Sequence, residues 1–259
     1  MIKDFQTYIN EGLFDRNQSE FNIQKTDKGI EQVYIPKTKD ELYSYIEPDI
    51  EQAKKDGTYP NVNLNNIDVS RLGNDELKGL FSGDNVAIRK WLHINPDISN
   101  WNIKYIPSNF FDDNKKIKKF TIPNSATSIG DFAFWDCINL KSVTIPNNVT
   151  SIGRSAFYGC KGLKSITIPN SVTIIGSMAF YNCSGLTSVE IPNNVTEICG
   201  QTFQNCSSLT SVTIPNSVTT IGMKAFDFCS NLTSVNISKL CHINTMSFPK
   251  NCKIIRRDD

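Results

Sequence analysis

The sequence predicts an α/β repeat solenoid, with a parallel β-sheet on one face, short helical turns on the other and an α+β capping region at the N-terminus. The main observation is a phrase, roughly I-P-N-x-V-T-x-I-G-x-x-A-F-x-x-C-x-x-L-x-S-V-T, that recurs from Ile122 to Ile237. Its prolines, Pro123, Pro146, Pro169, Pro192 and Pro215, stand 23 residues apart. A fixed period in the twenties, with aliphatic residues at fixed offsets, describes a coil that cannot bury its apolar face alone and must stack on its neighbours. The second observation is bulk composition: 259 residues with 39% hydrophobic suit a soluble core in one or two domains. A net charge of +1 gives no global basic field, so no nucleic acid partner is expected. No run of 18 apolar residues occurs, and no membrane span is expected.

In chain order, residues 1–60 form an N-terminal helical and strand cap. Ile2, Phe5, Tyr8, Ile9 and Leu13 recur at helical spacing and Gly12 ends that helix. Gln32–Pro36 reads as a short strand, and Thr38 with Glu41 as a capping box opening a second helix through Tyr43, Tyr45 and Ile46. Residues 61–99 hold looser, atypical capping coils. Leu64–Ser70 alternates as a strand, Asn74 caps a helix carrying Leu77, Leu80 and Phe81, and Gly83 ends it. Such coils cover the bare hydrophobic end of a stack. The N-terminus lacks the apolar stretch and cleavage site of a secretory signal, which predicts a cytoplasmic or virion-associated location.

Residues 100–252 form the regular solenoid. Ile117, Leu140, Leu163, Leu186, Leu209 and Leu232 share one position; Phe120, Val143, Ile166, Val189, Val212 and Val235 share the next; Ile122, Ile145, Ile168, Ile191, Ile214 and Ile237 share the third. This is an L-x-x-L-x-L strand, the core of a leucine-rich repeat. Its alternation sends Val143 and Ile145 inward and Ser142 and Thr144 outward, so coils stacked roughly 4.8 Å apart build a sheet with a Ser/Thr outer face. A second extended piece, Val149–Ile152 and its equivalents, leads to Gly130, Gly153, Gly176 and Gly222, read as positions whose backbone conformation other residues resist; Cys199 takes this place once, beside Gly200. Ala156, Phe157 and Cys160 then follow Ile152 at spacings that put them on one side of a helical turn. Phe111, Phe134, Phe157, Phe180, Phe203 and Phe226 should stack into a spine ended by Phe248. Residues 253–259 are a charged C-terminal tail and a polar stop.

This phrase resembles the BspA-like leucine-rich repeats over residues 100–252, and Asp97–Trp101 is similar to the D-I-S-x-W repeat that accompanies them in bacterial surface proteins. The resemblance implies a non-catalytic protein-binding or adhesion scaffold, with a protein or glycan ligand and a cell-surface role. Tyr8–Asn17 resembles the opening of proteins of crAss-like gut bacteriophages, which implies the alternative of a structural component of a larger assembly such as a phage virion.

The residues themselves offer little for catalysis. His93 and His242 are the two histidines, with no triad phrase, phosphate loop or H-E-x-x-H beside them. An enzyme is not expected, nor a cofactor. Cys137, Cys160, Cys183, Cys206, Cys229 and Cys252 lie one per coil, a spacing that disulfide geometry would allow between neighbours. Without paired C-x-x-C spacing they are read as buried free thiols, not metal ligands. Two surfaces are candidates for binding. One is the aromatic column Trp135, Tyr158 and Tyr181, just after the spine, with Phe132 and Met178 nearby. The other is the sheet face. There Lys118, Lys141 and Lys164 stack on consecutive coils, Lys115, Lys116, Lys119 and Lys161 add to the same end, and hydroxyls at Ser142, Ser165, Ser188, Thr144, Thr167 and Thr213 lie alongside for an acidic partner or glycan.

Overall fold

The computed structural model describes the backbone of residues 21–26 and 29–34, and residues 103–258 in full. The expected N-terminal helix, the capping coils of 61–99 and His93 lie outside the described residues. Near the N-terminus, β1 (Phe21–Thr26) and β2 (Gly29–Tyr34) form an antiparallel hairpin running from Phe21 opposite Tyr34 to Thr26 opposite Gly29. The strand expected at Gln32–Pro36 falls within β2.

From Ile103 onward the chain winds as a parallel solenoid carrying two strands in most coils. The short strands are β3 (Tyr105–Ile106), β5 (Ser128–Ile129), β7 (Ser151–Ile152), β8 (Ile174–Ile175), β10 (Glu197–Ile198), β12 (Thr220–Ile221) and β14 (His242–Ile243). The longer ones are β4 (Lys119–Thr121), β6 (Ser142–Thr144), β9 (Ser188–Glu190), β11 (Ser211–Thr213), β13 (Ser234–Ser238) and β15 (Lys253–Arg257). Pairing between successive coils is parallel and in register with the repeat, as where Val143 faces Phe120 and Val212 faces Val189. The polar C-terminal stop is itself a strand, since β15 pairs with β13 along its whole length.

Inward side chains form one continuous core. The phenylalanines from Phe111 to Phe226 are fully buried, and Phe248 is 8% exposed. From Phe134 to Phe248 the rings stack with centroids 5.0–5.3 Å apart and planes within 7° of parallel. Each such ring contributes about 1.5–3 kcal/mol by burial alone. The spine matters more because the sheets are discontinuous. The short-strand ladder lapses between β8 and β10, and among the longer strands the coil at Ser165–Thr167 forms no strand at all. Both lapses meet at one junction, between the coil of β8 and the coil of β9 and β10, where the turn ribbon, as in Phe180 N–H to Thr202 C=O at 2.8 Å, and the phenylalanine spine carry the stack across.

The third side of each coil differs from the expected helical turn: among the described residues there is no helix. Residues after the glycine trace successive β-turns, closed in one coil by Ala156 N–H to Gly153 C=O, Tyr158 N–H to Ser155 C=O and Cys160 N–H to Phe157 C=O. Ser155 (φ 53°) and Gly159 (φ 70°) are left-handed at the third position of the first and last of these turns, which is type II geometry. A left-handed residue every fourth position breaks an α-helix. The alternate N–H groups point along the solenoid axis instead, as where Phe134 donates to Ala156 C=O at 2.7 Å and Asp136 to Tyr158 C=O at 2.6 Å. The i, i+4 spacing of apolar residues is therefore produced by a ribbon of turns that hydrogen-bonds from coil to coil. No helix among the described residues is long and apolar enough to cross a membrane.

The glycine column is required for a reason other than the expected one. The positive φ lies two residues later, and Gly153 is needed because a Cβ there would sit 2.7 Å from the backbone nitrogen of Asp131 in the preceding coil; at Gly222 the same atom would meet Gly200 N at 2.5 Å. Cys199 does carry a Cβ at this place, and its coil begins where the short-strand ladder lapses.

Candidate functional site

Lys118 and Lys141 stand just before β4 and β6, and Lys164 holds the same place in the coil without a longer strand; all three are exposed. None of the three has a carboxylate partner among the described residues. Lys115, expected to reinforce this cationic end, is engaged elsewhere: its ammonium lies 2.6 Å from both Asp113 and Asp136, across two coils. At the other end of the lysine column the position changes character. Thr187 Oγ1 donates to Lys164 C=O at 3.2 Å and Thr210 Oγ1 to Thr187 C=O at 3.1 Å, so these side chains fold back onto their own sheet.

The hydroxyls beside the lysines behave differently. Ser165, Thr144 and Thr167 are exposed and Ser142 is half-buried. Among the described residues none of the four donates a side-chain hydrogen bond. Beside the short-strand sheet, Thr127, Thr150, Thr173 and Thr219 donate through Oγ1 to the carbonyl one coil back, at 2.9–3.3 Å. Those threonines precede the short strands, as Thr187 and Thr210 precede the longer ones, and Ser128, Ser151 and Thr220 within the short strands donate no side-chain hydrogen bond among the described residues either; what sets the longer-strand face apart is its column of unpaired lysines. The backbone under this patch is also less tied, since Ser165, Ile166 and Thr167 take no part in the backbone ladder with either neighbouring coil.

The aromatic column lies on the turn ribbon, apart from the lysines. Tyr158 and Tyr181 stack with centroids 4.7 Å apart and planes 3° from parallel; Trp135 stacks on Tyr158 at 6.0 Å and 25°. Trp135 is 37% exposed and the tyrosines are half-buried. Stacked along the axis, the tyrosines cover each other's faces and turn only edges and hydroxyls outward. Asn205 Nδ2 donates to the Tyr181 hydroxyl at 2.9 Å, and Arg154 lies 4.9 Å over the Phe132 ring, covering much of what remains. Burial, with lesser contributions from Tyr181 and Asp136, raises the Tyr158 pKa. The geometry favours a coil-to-coil clamp over an open aromatic platform.

The cysteines are free thiols; in the one-per-coil column Cys137, Cys160, Cys183, Cys206 and Cys229 are buried and Cys252 is half-buried, as is Cys199 outside the column. Each of the first five donates through Sγ to the carbonyl of the spine phenylalanine one coil back, from Cys137 to Phe111 at 3.0 Å through Cys229 to Phe203 at 3.1 Å. Sequence reasoning missed this role, although the fixed Phe-x-x-Cys spacing carries it.

With the coil geometry established, comparison with known proteins becomes decisive. A family profile described as BspA type leucine rich repeat region, in six copies, matches residues 104–233 and 150–257. The chain belongs to this family. Among solved structures it is similar to a leucine rich cell surface protein from Faecalibacterium prausnitzii A2-165, with 36% identity and a TM-score of 0.54. That match covers 60% of this chain and 44% of the other, so this chain spans less than half of that protein. It is also similar to a leucine-rich repeat protein from Bacteroides ovatus, with 27% identity, TM-score 0.41 and coverage of 60% and 57%. A T. pallidum leucine rich repeat protein matches at 21% identity and TM-score 0.48, covering 85% of this chain and 91% of that one. No curated protein matches this chain.

Proposed function

We infer that this BspA-type repeat is a non-catalytic recognition scaffold, a protein-binding or adhesion module that holds its partner on the longer-strand sheet. The observation that carries this reading is the column of exposed lysines, Lys118, Lys141 and Lys164, without carboxylate partners among the described residues, beside hydroxyls at Ser142, Ser165, Thr144 and Thr167 that donate no side-chain hydrogen bond. Donors, acceptors and cations repeated on successive coils form a surface that can meet a partner's polar groups at several points at once. The Faecalibacterium relative, a cell surface protein by name, supports an adhesive role. The test is a crosslinked pull-down from cell-surface extract. The wild-type chain should retain a partner that Lys141→Glu with Lys164→Glu loses; retention by both would take the site off this face.

A second reading, a structural component of a larger assembly such as a phage virion, is supported by the resemblance of residues 8–17 to crAss-like phage proteins and by apolar exposure near the C-terminal end, where Leu240 is 75% and Met246 63% exposed. Finding the chain in stoichiometric amounts in purified particles would favour it, and its absence from them would remove it.

A further inference from the structure

The sheet face also indicates what kind of ligand it takes; this inference rests on the sheet-face reading above. Its cations outnumber its acids: Glu190, exposed on β9 one coil beyond Lys164, is the one carboxylate on the longer strands among the described residues. Lys118, Lys141 and Lys164 are exposed without carboxylate partners among the described residues, while Asp113 and Asp136 are held by Lys115, and Asp131 Oδ1 accepts the backbone N–H of Arg154. Residues 101–259 hold 15 Lys and Arg against nine Asp and Glu, so the repeat region is basic although the whole chain is nearly neutral. A basic surface attracts an anion.

The lysine end of the face lacks the apolar anchors on which tight protein interfaces are centred. Protein interfaces concentrate aromatic and apolar anchors at a desolvated centre and are depleted in Lys and Ser. Of the large hydrophobic residues exposed among the described residues, only Ile254 and Ile255 lie on the longer strands, both on β15 at the far end from the lysines. A field of ammonium groups and free hydroxyls without an apolar anchor suits a hydrophilic polymer. Its carboxylates take charge-assisted hydrogen bonds and its hydroxyls exchange bonds with Ser and Thr.

Spacing narrows the choice further. Strands repeat about every 4.8 Å, so three lysines span about 10 Å along the axis; an extended peptide shows side chains to one side every ~6.6 Å and three of them span about 13 Å. A polymer bearing one carboxylate on every sugar ring presents anions more densely than such a peptide, and the length of each lysine side chain takes up the turn between successive rings. We propose that this face, from Ile117 to Thr167, binds a linear polyuronate laid across the strands, one carboxylate to each of Lys118, Lys141 and Lys164, with Ser142, Ser165, Thr144 and Thr167 holding sugar hydroxyls.

Titration of the whole chain with polygalacturonate at low and moderate salt tests this. Wild type should bind, the fully methyl-esterified polymer should not, and affinity should climb with oligomer length until three rings are present. Lys141→Glu with Lys164→Glu should weaken binding by at least about tenfold and flatten its salt dependence at unchanged Tm. Ser142→Ala with Ser165→Ala should weaken it a few-fold and leave the salt dependence intact. Failure of wild type to bind polygalacturonate, or equal binding of poly-L-glutamate, overturns the proposal. In that event a protein partner that still depends on Lys141 and Lys164 would keep the sheet-face reading while the carbohydrate assignment falls.

Discussion

A spine phenylalanine carbonyl that already closes a turn within its own coil has a second lone pair, and the cysteine of the next coil fills it. In this way Phe134 C=O receives Cys137 N–H at 3.2 Å and the Cys160 thiol at 3.1 Å. Burial pushes the thiols of Cys137 and Cys183 from the usual 9 up to about 12, partly offset by their backbone hydrogen bonds. The folded value lies above the unfolded one, so the protonated thiol contributes its full stability below pH 9. That contribution declines as pH rises from 9 towards 12, because the unfolded chain releases the proton first. Each buried thiol then removes about 1.4 kcal/mol per pH unit. We expect Tm to fall between pH 9 and 11 and the slope to be shallower in Cys183→Ala. We also expect alkylating reagents to leave Cys160, Cys183 and Cys206 unlabelled until denaturant is added. A second expectation concerns backbone conformation. Phe228 holds φ 59° with its ring 63% exposed, at the turn position filled by Asn182, Asn205 and Gly159 in other coils. A left-handed residue with a Cβ costs about 1–2 kcal/mol. Phe228→Gly should therefore raise Tm by about 2–4 °C, and a lower Tm would mean that the ring is held by contacts worth more than the strain.

Among the coil elements, what the sequence made legible were features with a strict period, and what it hid were features set by the neighbouring coil. The L-x-x-L-x-L columns, the phenylalanine spine and the second extended piece all follow from side-chain type at fixed offsets. The turn ribbon reads as helical because Ala156, Phe157 and Cys160 recur at a spacing that both conformations satisfy; of the left-handed residues that decide between them, the column of Asp136, Gly159, Asn182 and Asn205 carries a turn signal, whereas the column of Phe132 and Met178 has no distinctive composition. The glycine column was found but explained wrongly, since a requirement for space between coils leaves the same mark in sequence as a requirement for positive φ. Of the candidate site, the lysine and hydroxyl columns were legible from their period, but the engagement of Lys115 by Asp136 was not, because it joins residues 21 apart. Cys199 tests this account of coil spacing. Cys199→Gly removes the Cβ at the lapse between β8 and β10. It should let the ladder close there, raising stability by about 1 kcal/mol net of glycine's entropy and slowing amide exchange around Ile175 and Ile198. Faster exchange would show that the lapse has another cause.

For the molecule as a whole, the proposed function puts stability and recognition on different sides of the same coil. The stacked phenylalanines, the thiols and the turn ribbon hold the coils together, and the aromatic column Trp135–Tyr158–Tyr181 belongs with them. The longer-strand sheet contributes its inward Val and Ile to that core but leaves its outer hydroxyls and lysines unengaged. Partner binding and Tm, measured side by side for two double variants, separate the two roles most directly. Lys141→Glu with Lys164→Glu should lose the partner by at least about tenfold while Tm holds, since exposed charges contribute little to folding. Tyr158→Ser with Tyr181→Ser should lower Tm by several degrees, through the lost aromatic stacking, while the folded fraction keeps its affinity. The reverse pattern, with binding lost in the tyrosine variant at constant Tm and retained in the lysine variant, would contradict the assignment and move the binding surface to the turn ribbon.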